Sequence, residues 1–93
     1  MYSLEIKEEA RLQITDVFHY YESKRLGLGD LFLNHLENYF KRIIENPEHF
    51  PEKRKPYREA YLKRFPFLVI YTIEETKIII YAVFNTSRNP DKK

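Results

Sequence analysis

Two apolar runs late in the chain, residues 67–73 and 78–84, carry β-branched and aromatic side chains on both parities. Runs of that length without a polar face are buried on both sides, so they predict two central strands of one sheet. The polar link Glu74-Glu75-Thr76 is too short for a parallel return, which makes the pair an antiparallel hairpin. Residues 57–63 are more polar, and the Arg64-Phe65-Pro66 corner leads from them into the first run. Pro66 has no N–H to donate, so it belongs in a turn or at the first residue of a strand. The late part of the chain therefore predicts a three-strand meander.

Earlier in the chain the period changes. Tyr2, Leu4 and Ile6 alternate with Ser3, Glu5 and Lys7, the pattern of a half-buried strand. Glu8 and Glu9 follow, placed where a helix dipole favours negative charge. Ala10, Ile14, Val17 and Tyr21, with Phe18 beside them, then recur at helical spacing. The segment from Ser23 to Gly29 holds both glycines of the protein and predicts the break between two helices. Asp30 is the expected cap of the second helix, whose apolar stripe is Phe32, Leu33, Leu36, Phe40, Ile43 and Ile44 and which stops before Pro47. Residues 47–56, with three prolines among charges, predict a stiff polar loop. The order is β-α-α-β-β-β. The predicted fold is α+β: a small antiparallel sheet, made of the late meander plus the first strand, with an α-hairpin on one face. Its other face is expected to be uncovered and apolar, which implies a protein partner or self-association.

Composition narrows the function. Ninety-three residues make one domain with a single core, burying about 65% of the surface its unfolded chain exposes. Eight Tyr and seven Phe must supply much of that core. The absence of cysteine excludes a disulfide framework, a thiolate nucleophile and a zinc ribbon. With no apolar run of membrane-spanning length and no secretory leader pattern, the expectation is a cytoplasmic protein without membrane contact. The net charge of +2 conceals an asymmetry: residues 1–50 carry six Lys/Arg against nine Asp/Glu, and residues 51–93 carry ten against five. Lys53, Arg54, Lys55, Arg58, Lys63 and Arg64 supply most of the late positive charge, a cluster suited to nucleic acid or an acidic protein segment.

Few residues point to chemistry. His19, His35 and His49 lack metal-ligand spacing, so no metal and no cofactor are expected. Neither Ser3, Ser23 nor Ser87 lies in a nucleophile elbow, and no glycine-rich phosphate loop exists. What remains is basic and aromatic: Tyr57, Arg58, Tyr61, Lys63 and Arg64, joined by Tyr81 and Arg88. Such a set can stabilise phosphate charge and move protons. Strand alternation, however, puts Arg58 and Arg64 on one face and Tyr57, Glu59, Tyr61 and Lys63 on the other.

The pattern Arg58, Leu62-Lys63-Arg64-Phe65-Pro66-Phe67, Ile70-Tyr71, then Tyr81-Ala82-Val83-Phe84 and Arg88-Asn89-Pro90 resembles the RelE/ParE toxins of bacterial type II toxin–antitoxin modules, also called plasmid stabilisation proteins. The resemblance spans nearly the whole chain, residues 1–93 as one toxin domain, and is most specific in the Lys-Arg-Phe-Pro-Phe block. It implies the fold already read and a cognate antitoxin whose flexible segment wraps the toxin. RelE-like members cleave mRNA on the ribosome with basic residues on the first two meander strands. Here Glu59, Tyr61 and Leu68 stand where those members commonly carry Lys or Arg, and Asn85 stands where many carry His. The resemblance thus favours the ParE-like branch, which poisons DNA gyrase without hydrolysis. The alternatives are an mRNA endoribonuclease with a variant site of Arg58, Lys63, Arg64 and Arg88, and a decayed toxin that only binds. On every reading, Lys53, Arg54, Lys55, Arg58, Lys63 and Arg64 are the candidate contacts to nucleic acid or an acidic partner.

Overall fold

A computed structural model describes residues 1–87 of the 93-residue chain. Its elements are β1 (Ser3–Ile6), α1 (Glu8–Lys24), α2 (Leu28–Glu45), β2 (Glu52–Arg54), β3 (Tyr57–Tyr61), β4 (Phe67–Glu74) and β5 (Lys77–Asn85). The strands form one sheet in the order β1-β5-β4-β3-β2. The expected α+β architecture and late meander are present, with two refinements. β1 runs parallel to β5, pairing Ser3 with Lys77 through Ile6 with Ile80, so the sheet is mixed. A three-residue strand, β2, forms within the expected polar loop and pairs antiparallel with β3.

The helices cover one face. Ala10 from α1 and Phe32, Leu36, Tyr39, Phe40 and Ile43 from α2 join Ala60, Phe67, Val69, Tyr71, Ile78, Ile80 and Val83 from the sheet in one core. β5 changes parity midway: Tyr71 pairs with Ile80 but Ile70 pairs with Ala82, leaving Tyr81 as an extra residue. That bulge lets Ile78, Ile80 and Val83 all face the helices, although strict alternation would turn Val83 outward. It is one reason β5 is apolar on both parities.

The turn between the helices is built differently from the expected Asp30 cap. Gly27 precedes α2 in the left-handed region at φ 89°, a conformation glycine adopts without strain. Glu22 of α1 supplies the missing acceptor: its two carboxylate oxygens take the N–H groups of Gly27 and Gly29, each at 2.9 Å. Asp30 lies inside the first turn of the helix, where its charge still suits the dipole. Gly29 has a separate reason to be glycine. A Cβ there would fall 2.7 Å from the Phe18 carbonyl oxygen and 2.8 Å from Glu22 Oε1. Gly29→Ala is therefore expected to force the helices apart and to destabilise by about 1–3 kcal/mol. An unchanged thermal midpoint would show that the hairpin absorbs the methyl group.

Candidate functional site

The sheet face away from the helices carries Tyr57, Glu59 and Tyr61 from β3, Leu68, Ile70 and Thr72 from β4, and Ile79, Ala82 and Phe84 from β5, as the pairing register requires. This face is less open than its composition implies. Leu68, Thr72 and Ile79 are buried, Ile70 and Ala82 are partly exposed, and the well-exposed apolar side chains are Tyr57, Tyr61 and Phe84. The Tyr57 and Tyr81 rings meet edge to face at 5.5 Å, and Lys77 pairs with Glu5 at 3.5 Å. Flanking side chains thus roof part of the apolar floor.

What stays open is a cleft of about 600 Å³, floored by Ile70 and Ala82 and walled by Tyr57, Tyr81 and Phe84, with Lys53, Arg54, Glu59 and Glu9 at its rim. A second cleft of about 650 Å³, between α1 and the end of β5, is lined by Asp16, Val17, Tyr20, Val83 and Asn85. Gln13 and Phe84 line both, so the two adjoin. The join has a physical cause. β1 ends opposite Ile80, so the later residues of β5, paired with β4 on one side, have no strand on the other. α1 runs along that edge instead, and Gln13 Oε1 accepts the Val83 N–H at 2.8 Å. Nothing in the order of residues signals that Gln13, 70 positions from Val83, caps a strand edge.

The basic residues expected to act together separate into three environments. Lys53 and Arg54 lie on the edge strand β2 and reach the first cleft, with Lys55 in the turn that follows. Arg58 points to the helix side. Its Nη1 donates to the carbonyls of Phe50 at 2.7 Å and Glu48 at 3.3 Å, tying down the loop after α2. Beside it the Tyr71 hydroxyl donates to the Pro47 carbonyl at 2.6 Å. Burial pushes that hydroxyl up to about 12, against a smaller opposing effect of Arg58. Arg58 is thus a clamp for residues 47–50. Lys63 and Arg64 sit beyond the other end of β3, exposed in the turn to β4, so Arg64 does not share a strand face with Arg58. Arg88 lies outside the described residues.

Two residues not expected at a site join Arg64. His35 Nε2 accepts the Arg64 backbone N–H at 3.3 Å, and Arg42 lies over the Tyr39 ring at 4.7 Å. Burial first, then the charges of Arg64 and Arg42, hold the His35 imidazole below its ordinary range. Among the described residues no group of His and carboxylate side chains could hold a metal ion, and no helix is long and apolar enough to cross a membrane.

The outward face of β3 thus offers Tyr57, Glu59 and Tyr61, with no cation among them. That arrangement suits contact with a partner better than charge stabilisation on a phosphate. A search of curated proteins finds no match. Among solved structures, the chromosomal ParDE TA system from P. aeruginosa matches with a TM-score of 0.80 at 16% identity, over 92% of this chain and 97% of that one. The intact E. coli RelBE toxin–antitoxin complex matches with a TM-score of 0.71 at 14% identity, over 95% and 100% of the two chains. At such identities the likeness shows a shared fold. The family model for the ParE toxin of the type II toxin–antitoxin system, parDE, matches residues 4–90. The chain belongs to the ParE toxin family of type II toxin–antitoxin systems.

Proposed function

We propose that this protein is a cytoplasmic toxin, held inactive by a cognate antitoxin, that acts on DNA gyrase by binding and without hydrolysis. The observation that carries the non-hydrolytic reading is the dispersal of the cationic residues. Arg58 is committed to the carbonyls of Phe50 and Glu48, while Lys53 and Lys63 flank opposite ends of β3. An endoribonuclease site needs charge stabilisation and proton transfer at one phosphate. On the outward sheet face, among the described residues, no such convergence forms. The antitoxin reading rests on the two adjoining clefts, where exposed Tyr20, Tyr57 and Phe84 flank an apolar floor. An extended acidic segment there gains apolar contact enough to offset its ordering entropy, with Lys53 and Arg54 steering its approach.

A paired assay tests both halves. Purified toxin is expected to inhibit supercoiling by gyrase while leaving ribosome-bound mRNA intact in a translating extract. An acidic cognate antitoxin is expected to restore supercoiling. Discrete cuts in mRNA, lost on Arg64→Ala, would replace this reading with the ribonuclease one.

A further inference from the structure

We propose that the margin of α2 beside the β3–β4 turn is a binding surface for the phosphate backbone of duplex nucleic acid, with Arg42 and Arg64 as its phosphate contacts and Lys63 and His35 next to them. The surface is assembled from distant parts of the chain. His35, Tyr39 and Arg42 stand at i, i+4 and i+7, so one margin of the helix presents all three. The Arg64 N–H donates to His35 Nε2, which brings the turn carrying Lys63 and Arg64 against that margin. His35 lies 5.1 Å from the Tyr39 ring and 5.7 Å from Phe65, and Arg42 rests on the same tyrosine. A guanidinium held against an aromatic ring keeps N–H groups free to donate to phosphate oxygens.

Among the described residues these cations have no anionic partner. Among the described residues the ion pairs are Arg11 with Glu8 and Lys77 with Glu5, so Arg42, Lys63 and Arg64 all lack a carboxylate within pairing distance. Burial and the charges of Arg64 and Arg42 hold the His35 imidazole toward its neutral form. The shape of the surface favours a polyanion over an acidic peptide. Peptide segments seat side-chain anchors in clefts, and neither of the two clefts draws a lining residue from α2 or from residues 62–66. An open array of Arg and Lys instead gives point contacts to regularly spaced phosphates. The inference does not depend on gyrase being the target.

Fluorescence anisotropy with a short labelled DNA duplex over a range of sodium chloride tests it on the full chain. Arg42→Gln with Arg64→Gln is expected to weaken binding at low salt at least tenfold. It should also reduce the log–log salt slope by about 0.9 for each phosphate that is no longer neutralised. Lys24→Gln with Arg25→Gln removes the same charge at the helical connection and is expected to leave the slope unchanged. The His35 ring resonances should shift as duplex is added. Arg64→Gln alone, in an exposed turn, keeps the test valid if taking the Arg42 guanidinium off the Tyr39 ring destabilises the double variant. Three results overturn the proposal: no duplex binding, equal slope changes in both double variants, or a glutamate-rich peptide that shifts His35 at concentrations where duplex does not.

Discussion

Ile80→Ala is expected to lower unfolding free energy by about 2–5 kcal/mol, the range for truncating a fully buried aliphatic side chain. Ile80 is 0% exposed and sits where three strands meet. It pairs with Tyr71 of β4 and Ile6 of β1, and its carbonyl accepts the Lys7 N–H at 3.0 Å. The next residue is the bulge, so the backbone cannot slide to fill the space without losing the register that turns Val83 inward. A domain of this size has about 5–14 kcal/mol of stability in total, so the loss is a large share of it. Urea denaturation reads the effect as a shift in midpoint. A midpoint equal to that of the parent would remove Ile80 from the core.

Tyr71→Phe is the second large effect, expected at about 1–3 kcal/mol. The substitution keeps the ring but leaves the Pro47 carbonyl, a buried acceptor 2.6 Å from the hydroxyl, without its donor. Burial of the same hydroxyl predicts an alkaline transition. The folded hydroxyl titrates near 12, above its ordinary value of 10.0, so its contribution is complete below pH 10 and is lost as pH rises toward 12. The phenylalanine variant is expected to lack that part of the alkaline loss. If both proteins lose stability in parallel between pH 10 and 12, the Tyr71 hydroxyl is not the responsible group.

The strongest apolar signals in the sequence corresponded to the elements they implied. β4 and β5 were legible because β-branched and aromatic residues fill them, and α2 because its stripe from Phe32 to Ile44 recurs at helical spacing. β2 was not, since Glu52-Lys53-Arg54 has no apolar residue and exists only through pairing with β3. The direction of β1 was equally hidden: Leu4 and Ile6 specify which face is buried but not which way the strand runs. The cap of α2 comes from Glu22, a residue of the other helix, whereas the local rule pointed to Asp30. At the site, the basic residues were visible but their grouping was not. Arg58 belongs to the helix side of its strand, and the closeness of His35 to Arg64 spans 29 residues. Side-chain neighbours of that kind follow from tertiary closure alone.

The parallel pairing of β1 with β5 also bears on how the protein is made. Its register joins Ser3 to Lys77 and Ile6 to Ile80, so the first strand waits for the last before it acquires a neighbour. During synthesis, at about 5–20 residues per second, the helical hairpin can close through the local Glu22 contacts several seconds before β5 leaves the ribosome. The sheet is completed later still, and the long sequence separation between β1 and β5 makes that closing step slow. A nascent chain therefore has helices but neither the sheet face nor the clefts beside β5. Messages cut short before residue 77 yield chains that cannot assemble this surface, and the surface first exists only on chains translated through β5.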